Sequence, residues 1–331
     1  MRCRLVGSEM CIRDRKYTDG LPLYRQEVIF KRLGVEIDRT SMANWMIRCG
    51  QLVQPLINRL YEHLLEQPVL HMDETAVQVL KEPGKAAASQ SYMWVMASAQ
   101  SQASPAVLFH YASNRSGAIP LARLNSFEGA LMVDGYEGYQ KACTEQGIIR
   151  LGCWAHARRK FMEAKRQQAK GKTGKADQAL AFIQKLYRVE RDAHDKADDE
   201  RLEIRQQQAK PVLDKLRQWL EKTLQHTPPK TALGKAAHYL HNQWPRLERY
   251  LDDGAYPIDN NRAENSIRPF VVGRKNWLFS NSQSGARASA NLYSLIETAK
   301  LNGLEPHAHL LHLFIQSVSY THLTLPTKPS V

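Results

Sequence analysis

Residues 69–80, VLHMDETAVQVL, decide how the chain is read: apolar Val69, Leu70 and Met72 run straight into Asp73. The run predicts a strand, and an acid that follows an apolar strand is costly to bury unless a cation or hydrogen bonds compensate it. The same grammar returns at 129–136, GALMVDGY, where Leu131, Met132 and Val133 precede Asp134. Asp134 followed by Gly135 can equally be a strand-end aspartate that caps a turn.

Outward from these acids the order of elements becomes legible. SYMWVMASA (91–99) and AVLFHYAS (106–113) read as a second and third strand, with the polar, glycine-containing KEPGKAAASQ between the first two. SGAIPLARLNSF predicts a helix, GALMVDGY the fourth strand, EGYQKACTEQ a helix, and IIRLGCWAH a fifth strand passing into a helix that begins near Ala157. Three hairpin-connected strands followed by alternating helices and strands is the order of a ribonuclease-H-like domain, an α/β fold with a mixed five-stranded sheet flanked by helices. That fold brings acids of its first and fourth strands side by side, and Asp73 and Asp134 fall there.

Before this region, residues 17–67 read as an N-terminal helical segment. Gly34 stops one helix, and Asp38, Thr40 or Ser41 can cap the next, which runs through Trp45, Ile47 and Leu52. Two short helices with a turn can be a DNA-binding pair or simple packing. After it, residues 161 to about 255 are rich in Lys, Gln, Ala, Glu and Leu and predict a large helical insertion within a catalytic domain over 68–316. The core then resumes with a helix from about Asn260, a loop in GRKNWLFSNSQSG, and a long helix that ends at Gly303.

The third acid sits where the core resumes. In DNNRAENSIRP (259–269), Asn260, Glu264 and Arg268 stand at i, i+4 and i+8, one face of a helix, with Asn261 beside them. Asp259, five residues before Glu264, is the alternative third ligand. Three oxygen ligands suit hard divalent cations, and a pair of such ions can clamp the attacking and leaving oxygens of a phosphodiester.

Basic groups gather near the same elements. WAHARRKF (154–161) supplies His156, Arg158, Arg159 and Lys160; the cations can hold a phosphate backbone, and His156 can touch a scissile phosphate or assist a proton transfer. Arg274, Lys275 and Trp277 add two cations and an aromatic that either stacks on a base or sits in the core. The whole chain carries 46 Lys plus Arg against 33 Asp plus Glu, a net charge of +13 over 331 residues. Such a balance attracts polyanions. No apolar run approaches the roughly 20 residues of a membrane span. The start has no apolar signal region, and five cysteines without CxxC spacing fit reduced thiols, so a cytoplasm is expected, without zinc. SEMCIRDR near the start and SVSYTHLTLPTKPSV at the close resemble translated sequencing-adapter DNA. Residues 1–16 and 317–331 are therefore expected to be non-native or disordered tails without a packed role.

The run LPLYRQEVIFKRLGVEIDRTSMANW, then HMDET, LMVDGYEGY, CWAHARRKF, DNNRAENSIRP, GRKNWLF and YSLIETAKLNG, closely resembles the transposases of the insertion sequence 66 family, over about Tyr17 to Gln316. The resemblance implies a DDE-type transposase with a ribonuclease-H-like catalytic domain and two Mg²⁺ or Mn²⁺ ions. It carries the family's acids onto Asp73, Asp134 and Glu264. It also implies double-stranded DNA as partner, at transposon ends and target, a homo-oligomer during synapsis, and accessory proteins of the element. Those transposases usually begin with a zinc-binding cysteine region that these residues do not match. Two other readings share the acids or the charge: a ribonuclease-H-like nuclease that cuts without joining, and a catalytically silent DNA-binding remnant. A glycosidase with paired carboxylates fits the basic surroundings poorly.

Overall fold

The computed structural model describes residues 12–99, 104–168 and 173–323, the last seven of these as backbone only. In chain order, a helical stretch over residues 12–17 (α1) precedes α2 (Leu23–Arg32), α3 (Arg39–Leu52) and α4 (Gln54–Leu65). Three strands follow, β1 (Val69–Lys81), β2 (Gln90–Ser98) and β3 (Val107–Ala112). Next come α5 (Ala118–Arg123), β4 (Ala130–Val133), α6 (Gln140–Gln146) and β5 (Ile149–Gly152). The middle is helical: α7 (Trp154–Arg166), α8 (Lys175–Asp192), α9 (Asp198–Ile204), α10 (Lys210–Gln225) and α11 (Ala232–Leu247). The chain closes with α12 (Asn261–Trp277), β6 (Phe279–Ser282), α13 (Gln283–Leu301) and α14 (Pro306–Leu323).

The sheet is mixed and six-stranded, ordered β3-β2-β1-β4-β5 with β6 beside β1. The sixth strand corrects the five-stranded expectation. Its sequence, FSNS, has neither length nor apolar alternation, and pairing of Gln78 and Val79 with Phe279 and Ser280 makes it a strand. Strands β2 and β3 pair antiparallel; β4 lies parallel to both β1 and β5.

By contacts the chain forms two compact units, and the division runs through β1. One unit holds residues up to Glu66, Asp73–Ser116 and everything from Ala263; the other holds Gln67–Met72 and Gly117–Arg262. In the first, α13 packs on β3 and α3, and Phe109, Phe270 and Tyr293 meet ring to ring at 5.5–6.3 Å. The α3 face that packs there is Met42, Met46, Cys49 and Gly50, and a Cβ at Gly50 would come within 2.7 Å of Ala288. Close packing is therefore what that face of the helix pair does. Asp38 starts α3 by accepting from the backbone N–H of Thr40 and Ser41, and Gly34 follows α2 in the left-handed conformation at φ 75°.

Residues 12–15 do have a packed role, contrary to the expectation for SEMCIRDR. Ile12 and Arg13 are buried, and the Arg13 guanidinium lies 4.0 Å from the Phe314 ring centre. The aliphatic stem of an arginine can be buried while its cation rests on an aromatic face. Residues 1–11 and 324–331 of the expected tails lie outside the described residues.

The second unit has its own core, built on α7, α8, α10 and α11. Trp154, Ala157, Phe161 and Ala164 recur at helical spacing on α7 and join Ile183, Leu186, Leu216, Leu220, Leu240 and Trp244. The helix begins at Trp154, three residues earlier than expected, because the Trp154 N–H donates to Ile258 O at 3.1 Å and its indole N–H to Leu247 O at 2.9 Å. Arg205 is 1% exposed there, forked onto Glu190 at 2.7 and 2.9 Å with its remaining donors on the carbonyls of Tyr250, Asp253 and Tyr256. A cation so fully partnered is a staple of that core. No helix among the described residues is long and apolar enough to cross a membrane.

Candidate active site

Asp73 lies inside β1. The apolar run ends at Met72, but the strand continues eight residues beyond Asp73, so the acid is a mid-strand residue and not the strand end that the sequence suggested. It is half-buried, with Oδ1 accepting from the Glu74 N–H at 2.9 Å. The side chain of its neighbour Glu74 is occupied otherwise. Arg115 Nε donates to its Oε1 at 2.6 Å, a charge-assisted ion pair.

Asp134 is the first residue after β4. Its Oδ1 accepts from the Tyr136 N–H at 2.9 Å, so the turn-capping reading is realised. Arg150, 3% exposed, donates to the carbonyls of Asp134 and Tyr136 at 3.2 and 2.8 Å and to Gln140 at 3.0 Å. The turn is thereby held from below by a buried cation. Burial lowers the pKa of that guanidinium, with Arg246 adding to the effect, though an arginine stays charged.

Glu264 is the fourth residue of α12, half-buried in the helix's first turn. Negative charge is favoured there by the helix dipole. Asp259 is committed elsewhere: Oδ2 accepts from Tyr187 OH and Asn261 Nδ2, both at 2.8 Å, and Oδ1 from the Asn261 N–H at 3.0 Å. Burial and the Asp259 charge push the Tyr187 phenol up, which keeps it a donor. Asp259 therefore serves to bend the chain into α12.

Asn260 does not share a helix face with Glu264 and Arg268. The helix starts at Asn261, and Asn260 is 0% exposed. Its Nδ2 donates to Met72 O at 2.8 Å, which leaves Oδ1 as the acceptor for His71 Nδ1 at 3.0 Å; its own N–H reaches Cys153 Sγ at 3.2 Å. This amide is therefore a latch on β1, where a DNA contact was expected. It holds the residue just before Asp73 and stands four residues before Glu264. His71, 2% exposed, is kept neutral because burial lowers its pKa to about 4. Neither His71 nor Cys153 stood out in the sequence, since both act through partners more than 100 residues away.

Of the basic candidates, Arg158 and Arg159 are exposed on α7, opposite the Trp154 stripe, and Lys160 pairs with Glu163 at 3.7 Å. His156 is half-buried on the same helix, a ring nitrogen within 4.8 Å of Cys153 Sγ. Arg268 and Lys275 are exposed. Arg274 turns inward and donates to Thr75 Oγ1 at 2.9 Å and to Ala76 O, so it braces β1. Trp277 is the last residue of α12, its ring edge-on to Phe270 at 5.3 Å, and Gly273 and Gly285 lie within α12 and α13 instead of flanking a loop.

These elements match known proteins along most of their length. Residues 11–288 match the Transposase IS66 family. Two uncharacterized proteins of Sinorhizobium fredii strain NBRC 101917 / NGR234 align over nearly the whole chain. One, y4qI, is 34% identical over 302 residues, 88% of this chain and 55% of that protein. The other, y4jD, is 32% identical over 314 residues, 92% of this chain and 61% of that protein. The chain thus spans little more than half the length of these relatives. With most of its residues inside the match, this protein belongs to the IS66 transposase family.

Proposed function

We propose that this chain is the catalytic portion of a DDE transposase, with a ribonuclease-H-like core, a helical insertion over about 161–255, and Asp73, Asp134 and Glu264 as its acids. The observation that carries the reading is the register of β1 on β4. Val69 lies opposite Ala130, Leu70 opposite Leu131 and His71 opposite Met132. Asp73 and Asp134 each come two residues after the last of these pairs, at the same offset in number. Residues in register on neighbouring parallel strands point to the same face, with strands roughly 4.8 Å apart. Family membership and the positive charge of the chain support DNA as the substrate.

The donor set fits hard divalent cations: three carboxylates offer oxygen only. Mg²⁺ or Mn²⁺ bound there would supply an activated water for cleavage at the transposon end and charge neutralisation for the strand transfer that follows. Asp73 and Asp134 would hold the ions, and Glu264 would complete the set, since Asp259 is engaged by Tyr187 and Asn261. Arg158, Arg159, Arg268 and Lys275 would take phosphates of double-stranded DNA, in an oligomer that pairs two ends in the bacterial cytoplasm, with accessory proteins of the element as further partners.

The test is an Mg²⁺-dependent assay on element-end DNA. The wild-type chain should yield 3′-hydroxyl ends and joined products; Asp73→Asn should lose both while retaining DNA affinity, because a ligand charge and not a phosphate contact is removed. Cutting without joining would make the protein a nuclease. Salt-sensitive binding with no metal dependence would make it a silent remnant.

A further inference from the structure

A cavity of about 700 Å³ opens in the first unit, walled by α1, α2, α3, the end of α12, β6 and the start of α13. Its size is that of a small-molecule site. Two cations line it, Lys16 and Arg39, and no carboxylate does among the described residues. Lys16 is held in place by aromatics, its Nζ 5.1 Å from the Tyr17 ring centre and 5.6 Å from that of Trp277. Ring faces attract an ammonium without neutralising it, so Lys16 keeps a charge that an anion can meet, while the nearby carboxylates of Glu27 and Asp38 are taken up by the backbone N–H groups of Arg39 and Thr40. Burial alone lowers the Lys16 pKa to about 8, which leaves it mostly charged at neutral pH.

Two further aromatics among the lining residues, Tyr24 of α2 and Phe279 of β6, are 46% and 43% exposed. Around them stand amides able to donate and accept at once, Asn44 and Asn281. The Arg25 guanidinium lies 5.7 Å from the Tyr24 ring centre, a further cation beside that aromatic. Cations for a phosphate, exposed aromatic rings for a base and amides for its edge are the parts that hold one nucleotide of single-stranded DNA. Backbone strain marks the same place: Leu278, between Trp277 and Phe279, sits at φ 64° although it carries a side chain. Left-handed backbone at a non-glycine residue is retained where the surroundings impose it.

We propose that this cavity receives an unpaired nucleotide of the DNA substrate, its phosphate on Lys16 and Arg39 and its base on Tyr24 and Phe279. The inference rests on the reading of the chain as a DNA-acting enzyme. Trp277 is then the back wall that fixes Lys16, and not itself the stacking face.

The experiment compares binding of the full chain to a blunt duplex and to the same duplex with a single-stranded 3′ overhang, with 2-aminopurine in the overhang as reporter. The overhang should bind about tenfold tighter, with quenched fluorescence. Tyr24→Ala, at an exposed position that does not endanger the fold, should remove the preference and leave blunt-duplex affinity unchanged. Lys16→Gln should lower the salt slope for the overhang by about one. Equal affinity for both duplexes, or a loss in Tyr24→Ala that is the same for both, overturns the proposal. Competition by inorganic phosphate as strong as by a mononucleotide also overturns it, in favour of a simple anion site. Absence of all DNA binding would instead sink the parent reading.

Discussion

Replacing Asn260 by alanine should unsettle the protein far more than a surface asparagine could. The side chain is 0% exposed and serves two buried partners, donating to Met72 O at 2.8 Å and accepting from His71 Nδ1 at 3.0 Å. Alanine leaves a buried carbonyl and a buried ring N–H unmet, each at roughly 1–3 kcal/mol, the carbonyl at the lower end because it keeps a second lone pair. The expected loss is about 2–4 kcal/mol. Urea titration followed by circular dichroism reads it, with hydrogen exchange at Leu70–Met72 as a local measure. Arg268→Ala, at an exposed position nearby, is the control and should change stability by less than about 0.5 kcal/mol. If Asn260→Ala were as mild as that control but weakened DNA binding, the latch would be wrong and a phosphate contact right.

Two more perturbations separate roles within the same region. Glu264→Gln should depress metal-dependent cleavage beyond the roughly 10–100-fold that loss of an outer-shell partner costs, whereas Asp259→Ala should cost about 1 kcal/mol of stability and leave the rate nearly intact; a reversed pattern would reassign the third ligand. Hydrogen bonds from the Ser41 side chain and from the backbone of Ser41 and Thr40 hold Asp38 down at about 2. A depressed folded pKa means stability present above the ordinary carboxylate range and lost as pH falls through the folded value. The stability gap between wild type and Asp38→Ala should therefore be full at neutral pH and close as pH approaches about 2 in thermal melts, and a gap indifferent to pH would contradict the cap.

What the sequence disclosed was what short-range pattern can carry. Apolar runs marked the strands over Val69–Lys81 and Ala130–Val133, and Asp38 announced the start of α3. The misread residues all depend on distant partners. Asn260 looked like part of a polar helix face because spacing cannot say where the helix begins, and its burial is set by Met72 and His71, far away in sequence. Arg274 looked like a free cation until Thr75 and Ala76 were seen beneath it. The FSNS strand exists only because β1 runs long enough to pair with it. The acids themselves were legible, yet the setting of Asp73 was not, since an apolar run ends where the strand does not.

The latch also has a meaning in time. Met72 leaves the ribosome long before Asn260, and at about 5–20 residues per second the interval is roughly 10–40 s. The β6 partner of β1 arrives later still, at Phe279–Ser282. During that interval the strand that carries Asp73 has neither its fastening nor its last neighbour, and a nascent chain that stops short of Asn260 cannot acquire them. Synthesis through Ser282 thus precedes the assembly of this strand's surroundings, so premature termination should yield products that are unfinished at the strand itself and not merely shorter.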